Sequence, residues 1–132
     1  MNTEKNTFTK MERLCSRKQI EQLFAEGKSV SAFPFRMQYL LIEFSDDIPS
    51  KVLFSIPKKR FKRAVKRNLI RRRAKEAFRL NKQLLYQNIP EGSMCLLAFI
   101  YVDNQIHSYE SIQNGILKAF EKLHEKELRI DS

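Results

Sequence analysis

The most basic part of this chain is a 22-residue window, residues 58–79, which holds 12 of the 25 Lys and Arg residues and a single acid, Glu76. The window carries a formal charge of +11, and the other 110 residues together carry −1. A field of one sign confined to one segment attracts a polyanion, and a phosphate backbone is the usual one. Each phosphate contact releases condensed counterions, so the binding should weaken steeply with salt. The window therefore predicts a nucleic-acid-binding surface.

Like charges recur in this window at helical spacing, as at Arg71, Lys75 and Arg79. Like pairs four residues apart destabilise a solvated helix, whereas a polyanion would relieve them. Arginine predominates from residue 67 onward, and its guanidinium can bind phosphate through two parallel hydrogen bonds. Two alternatives fit less well. A membrane-surface helix would need a Trp- and Leu-rich apolar face, and a nuclear-localisation signal normally lies in a loop.

Side chains that could activate a nucleophile are sparse in this sequence. The two histidines, His107 and His124, lie near neither a cysteine nor a paired carboxylate in the sequence. Asp46 and Asp47 fit a turn better than a metal site, because Asp bonds the local backbone in turns. Three isolated glycines exclude a Walker or dinucleotide phosphate loop. We expect no catalytic residue and no metal site in this chain.

Length favours one domain over residues 1–132, and the two unpaired cysteines favour a cytoplasmic protein. The longest apolar run, residues 94–102, is about half of what a membrane helix needs. The first ten residues are polar, unlike a signal peptide. Cys15 and Cys95 are far apart and lack metal-ligand spacing, so two reduced thiols are favoured over a disulfide.

Two helices can be placed from their start signals. Ser16 and Gln19 have the spacing of a capping box, in which each side chain bonds the other's backbone N–H, and Gly27 could end this first helix in a left-handed conformation. Ser108 could cap a last helix. Its predicted inward-facing residues are Tyr109, Ile112, Ile116, Ala119, Phe120 and Leu123.

Alternating apolar residues predict strands over residues 33–44 and 52–56, and residues 94–102 read as a strand buried on both faces. Most of the basic window fits a helix whose core face is Ile70, Ala74, Ala77 and Phe78. A separate arc of that helix carries Asn68, Arg71, Arg72, Lys75 and Arg79. The order is α-β-β-α-β-α, an α+β fold with one sheet packed with helices. A βαβ crossover through the basic helix would be right-handed by default.

The basic window also resembles a known family. Residues 64–72, Ala-Val-Lys-Arg-Asn-Leu-Ile-Arg-Arg, match every fixed position of the core motif of the bacterial ribonuclease P protein component. Ser55-Ile56-Pro57-Lys58-Lys59 before the motif is similar too, as are Arg13-Leu14, Phe24 and Gly27 nearer the N-terminus. The resemblance covers residues 12–124, and we expect flexible ends outside it.

The resemblance implies a small subunit bound to a large catalytic RNA, which removes the 5′ leader of precursor tRNA with Mg²⁺ held chiefly by the RNA. It also implies a left-handed crossover, contrary to the default, and no need for a protein partner. By the family pattern, RNA contacts would come from Lys58, Lys59, Arg60, Lys62, Arg63, Lys66, Arg67, Asn68, Arg71, Arg72, Lys75 and Arg79. A cleft for the leader would be lined by Ile20, Phe24, Arg36 and Gln38. Relatives often place aromatic residues at the positions of Ile20 and Gln38, so stacking on leader bases should be weaker here.

Two other hypotheses compete with this one. A structural RNA-binding protein, such as a ribosomal protein, would share the basic surface but would not assist leader removal. A helix-turn-helix DNA-binding protein fits poorly, because no second helix follows the first after three or four residues.

Overall fold

The computed structural model describes residues 12–43 and 48–128, in which one sheet is packed with helices on both faces. Its elements in chain order are α1 (Arg17–Glu26), β1 (Lys28–Ala32), β2 (Phe35–Glu43), β3 (Ser50–Ser55), α2 (Ala64–Tyr86), β4 (Ser93–Tyr101) and α3 (Tyr109–Leu123), which a π-helical turn (His124–Leu128) extends. The predicted α+β class is confirmed. The predicted turn at Asp46 and Asp47, and most of the ends predicted to be flexible, lie outside the described residues.

The sheet has four strands in the order β1-β2-β4-β3. β1 pairs with β2 and β2 with β4 in antiparallel fashion, whereas β3 and β4 are parallel and are connected through α2. The left-handed crossover stays a prediction from the resemblance. β4 lies inside the sheet, and residues 94–99 are fully buried, which confirms the strand predicted to be buried on both faces.

β1 was absent from the predicted order. Three of its five residues, Lys28, Ser29 and Ser31, are exposed, so the segment lacks the apolar run that marks a buried strand. β1 is an edge strand, and the alternating apolar residues that predict a strand lie in its neighbour, β2. The strand predicted to begin at Phe33 begins instead at Phe35, because Phe33 and Pro34 form the turn between β1 and β2.

Two apolar clusters fill the space between the layers. The larger joins the sheet to α2 and α3, and the predicted core face of α2 is confirmed, since Ile70, Ala74, Ala77 and Phe78 are all fully buried. The Phe78 ring lies edge-on to Phe54, with centroids 5.9 Å apart. The smaller cluster lies on the opposite face of the sheet, under α1, where it surrounds the fully buried Leu23. α2 is therefore anchored on one face and exposed on the other.

The helix ends follow the predicted signals in part. Ser16 Oγ accepts a hydrogen bond from the Gln19 backbone N–H at 3.2 Å, and Ser108 caps α3 in the same way. The reciprocal half of the capping box is missing, because Gln19 Oε1 makes no hydrogen bond within the described chain. The left-handed Gly27 was a wrong prediction: its φ is −79°. Glycine is needed there for space, since a Cβ would lie 2.7 Å from the Tyr39 carbonyl oxygen.

A buried ion pair fastens the segment before α1 to the far end of α2. The Lys82 ammonium lies 2.7 and 3.0 Å from the two carboxylate oxygens of Glu12, and the Tyr86 hydroxyl donates to the same carboxylate at 2.6 Å. The pKa of Tyr86 is raised above its usual value, mainly because the hydroxyl is buried and to a smaller extent because it contacts the Glu12 carboxylate. Next to this pair, the Leu14 N–H donates to the Val52 carbonyl of β3 at 3.0 Å. Residues 12–14 are thus held against both α2 and β3.

Candidate RNA interface

The cationic arc of α2 lies where the sequence placed it, away from the buried core face. Asn68 and Arg72 are exposed, and Arg71, Lys75 and Arg79 are half-buried. Since the core face is fully buried, the helix cannot turn to hide these side chains. The arc is a fixed feature of the fold.

Not every cation on this arc is equally available to a ligand. Arg79 forms a salt bridge with Glu76, 2.7 Å between Nη2 and Oε2, on the helix surface. Arg71 donates from Nη1 to Asn68 Oδ1 at 2.9 Å, which holds its guanidinium along the helix and leaves its other N–H groups for an anion. Arg79 is therefore less available to an anion than Arg71 or the exposed Arg72.

Lys75 shows the crowding of positive charge most clearly. Partial burial, and then the neighbouring Arg13 and Arg71, lower the pKa of its ammonium. A lowered lysine pKa means that the protein disfavours the charged form, and an anion placed beside it would reverse the effect. Arg13, which the segment before α1 brings to this place, is an exposed cation that was missing from the predicted set.

The loop before α2 and the first turn of α2 supply a second group of cations. Lys58, Lys59, Lys62 and Arg63 of the loop and Lys66 of the helix are exposed, and Arg60 is half-buried. Arg67, whose predicted contact with RNA stays a prediction, has partners within the chain. Its Nη1 donates to the carbonyl oxygens of Phe61 at 2.8 Å and Lys62 at 2.9 Å, so its first task is to hold this loop against the start of α2.

The four residues predicted to line a leader cleft lie on the other face of the sheet. α1 covers part of that face, where Ile20 packs against the buried cluster that contains Leu23. Beyond this contact the face is open, with Arg36 exposed and Gln38 half-buried on β2. Phe24 of α1 is 45% exposed, unusual for a phenylalanine.

The unpredicted strand β1 widens this open face. Ser29 lies opposite Gln38 and Ser31 opposite Arg36, and directly opposed residues in an antiparallel pair share a face of the sheet. Both serines are exposed. We call the face formed by Arg36, Gln38, Ser29 and Ser31, together with the exposed Phe24 of α1 on the same side of the sheet, the sheet cleft. Ile20 is half-buried against the Leu23 cluster, and its place in the leader cleft stays a prediction.

One histidine has partners that the sequence did not reveal. His107 Nε2 lies 2.6 Å from Asp103 Oδ2, and Nδ1 lies 3.1 Å from Ser111 Oγ. The hydrogen bond from His107 lowers the pKa of the Asp103 carboxyl. Arg73 donates to the His107 carbonyl at 2.6 Å, so the group links α2 to the loop before α3.

Few other groups suggest chemistry. Within residues 12–43 and 48–128, no three His, Cys, Asp or Glu side chains are grouped as a metal ion would require. Both cysteines are free thiols, Cys15 exposed and Cys95 buried, and burial raises the pKa of Cys95 to about 12. Among the helices of the described chain, none has the length and apolar character to cross a membrane.

Comparison with known proteins agrees with the motif. The family model for ribonuclease P matches residues 8–126. The ribonuclease P protein component of Porphyromonas gingivalis is 36% identical over 113 residues, which are 85% of this chain and 82% of that protein. The protein component of Nitrosococcus oceani is 38% identical over 79 residues, 59% of this chain and 63% of that protein.

Solved structures show the same fold at lower identity. The RNase P protein from Thermotoga maritima superposes with a TM-score of 0.66 at 22% identity, covering 84% of this chain and 96% of that one. The Staphylococcus aureus RNase P protein gives a TM-score of 0.67 at 19% identity, covering 89% and 98%. Together with the family match along nearly the whole sequence, these similarities lead to one conclusion. The chain belongs to the ribonuclease P protein family.

Proposed function

We propose that this protein is the RNA-binding subunit of ribonuclease P, which docks on the catalytic RNA and holds the 5′ leader of precursor tRNA. One observation carries the proposal: two surfaces suited to RNA lie on different sides of the sheet. The cationic arc of α2 stands beyond one face, and the sheet cleft opens on the other. A single small domain could thus contact the catalytic RNA and the substrate together.

The α2 arc would bind the backbone of the catalytic RNA. Arg72 is exposed, and Arg71 retains free guanidinium N–H groups beside it. Arg13 and Lys75 add charge at the same place, where partial burial and then the neighbouring Arg13 and Arg71 lower the pKa of Lys75. Phosphate contacts to such an arc are sequence-independent and sensitive to salt.

The sheet cleft would hold the leader as a single strand. Phe24 offers an exposed ring on which a base can stack, and Arg36 offers a cation for the backbone. The cleft also contains the polar side chains of Gln38, Ser29 and Ser31, which can hydrogen-bond bases or sugars. Charge and hydrogen bonds should therefore contribute more to leader binding than stacking does.

The hydrolysis of the phosphodiester bond is assigned to the RNA, with Mg²⁺ bound chiefly by its phosphates. Mg²⁺ prefers oxygen ligands and keeps several waters, so an RNA with many phosphates suits it better than a surface rich in Lys and Arg. The protein would act by position and charge, raising the affinity for leader-bearing substrate. Such a complex would work in the cytoplasm, and it needs no second protein.

The test is reconstitution. Protein, a bacterial ribonuclease P RNA and precursor tRNA are mixed at low Mg²⁺, and leader release is measured against the RNA alone. We expect cleavage only when both macromolecules are present, with the protein alone inactive. A protein that binds the RNA but does not raise the cleavage rate would favour a structural RNA-binding role, and one that cleaves without the RNA would contradict the assignment of chemistry.

A further inference from the structure

A pocket of about 740 Å³ lies between the loop before α2 and the loop before α3. One wall is mainly cationic and consists of Lys59, Arg60, Lys62, Arg63 and Lys66 together with Phe61. The other wall is neutral and consists of Asn104, Gln105 and Ile106, all three exposed. The family motif, residues 64–72, lies in α2 and does not include the residues of this second wall.

The loop that carries the neutral wall is held in place from behind. The Tyr101 hydroxyl donates to the Gln105 carbonyl at 2.8 Å and accepts from the His107 N–H at 3.1 Å. Arg73 bonds the His107 carbonyl from α2, and Arg60 donates from Nη1 to Asn104 Oδ1 at 3.0 Å. Because the backbone of this loop and the Asn104 side chain are already held, the loop loses little entropy when its exposed side chains bind a ligand.

The cationic wall meets the start of α2, where the helix dipole adds further positive potential. Arg63 occupies the N-cap and makes no side-chain capping bond, and the first turn contains no acid. Helices normally favour negative charge at this end, so several cations there disfavour the fold unless an anion joins them. In addition, Arg60 Nε is buried and makes no hydrogen bond within the described chain.

We propose that this pocket binds one nucleotide of RNA, with its phosphate against the cationic wall and its base against Asn104 and Gln105. A side-chain amide carries both donors and an acceptor, which is what a base edge requires, whereas Lys and Arg supply donors alone. The volume is within the range of pockets for small ligands, about 300–1,000 Å³. This inference rests on the RNA binding proposed above and adds a base-contacting loop to it.

The nucleotide could belong to the catalytic RNA or to precursor tRNA, and the experiment has one arm for each. The variants are Asn104→Ala/Gln105→Ala and Gln105→Ala alone, which keeps the bond between Arg60 and Asn104. The control is Gln87→Ala, which removes an exposed amide from the opposite end of α2. The first arm measures affinity for a ribonuclease P RNA at several salt concentrations. The second measures the affinity of the assembled complex for precursor tRNA.

We expect the affinity of the double variant to fall about tenfold in one arm, because two hydrogen bonds are removed. The affinity of Gln105→Ala should fall by part of this amount. The salt dependence should not change, because the amides are neutral. A loss in the first arm assigns the nucleotide to the catalytic RNA, and a loss in the second assigns it to precursor tRNA.

Losses no larger than that of Gln87→Ala in both arms would overturn the proposal. So would a loss that vanishes when the variants are compared at equal folded fraction, because the loop would then be merely structural. If instead the unmodified protein fails to bind the RNA, the proposed function itself fails, and that outcome is distinct.

Discussion

Replacing Arg72 with Gln removes one exposed cation from the middle of the cationic arc of α2. The neighbouring Arg73→Gln is a matched control, since it removes the same charge one residue along the helix. Arg72 is exposed, whereas Arg73 is half-buried and donates to the His107 carbonyl at 2.6 Å. The first change should therefore affect RNA binding, and the second should affect folding.

The magnitude for Arg72→Gln follows from counterion release. Each phosphate contact contributes about 0.7–0.9 to the slope of log affinity against log salt. Between 50 and 200 mM salt, one contact accounts for about a threefold difference in affinity. At 50 mM salt the variant should bind the RNA less tightly than the unmodified protein. The ratio of the two affinities should be about threefold smaller at 200 mM salt.

The control should behave in the opposite way. Losing the hydrogen bond from Arg73 to His107 should lower the free energy of unfolding by about 1–2 kcal/mol. Under conditions in which the variant is fully folded, its slope of log affinity against log salt should remain close to that of the unmodified protein.

The assay is a salt series of RNA-binding affinities, with denaturant unfolding of each free protein. If Arg72→Gln leaves the slope unchanged, the arc faces solvent in the complex. If Arg73→Gln reduces the slope of log affinity against log salt as much as Arg72→Gln does, RNA binding depends on the total charge of the helix. The arc would then not be a defined binding surface.

Three further predictions concern other parts of the molecule. Phe24→Ala should weaken binding of the assembled complex to long-leader precursor tRNA by about 1–3 kcal/mol for the lost stacked base; equal weakening for leaderless tRNA would show that the ring is only packing. Glu12→Gln should lower the free energy of unfolding by about 3–5 kcal/mol, because Lys82 would lose its carboxylate in a buried site; denaturant unfolding measures this, and a loss under 1 kcal/mol would mean that water reaches the pair. In a thiol titration of the native protein, Cys15 should react quickly and Cys95 only on unfolding, since burial raises the pKa of Cys95 to about 12; two fast thiols would contradict the buried position.

The parts of the fold that could be predicted were those where local pattern and packing agree. The core face of α2 follows from helical spacing, and Ser16 and Ser108 cap their helices because a short hydroxyl side chain reaches the third N–H of a helix. The cationic arc followed as the complement of the core face. For such residues the conformation is determined by residues close to them in the sequence.

The rest depended on contacts between distant residues. The bond of Lys82 to Glu12 joins residues 70 positions apart, and nothing about either residue marks it as buried. β1 is polar because it is an edge strand, so it becomes visible only once β2 lies beside it. Arg67 was assigned to RNA from the family pattern, and a sequence does not show that its guanidinium also donates to the backbone of the loop before α2.

The segment formed by residues 12–14 also bears on how the free protein behaves at high concentration. β3 lies at one edge of the sheet, and an uncovered edge invites pairing with the same edge of another molecule. Here the backbone of Leu14 and Arg13 occupies that position beside Val52. The opposite edge, β1, is short and displays Lys28 and exposed serines, which discourage such pairing. Both edges of the sheet thus have features that disfavour edge-to-edge pairing between two free molecules.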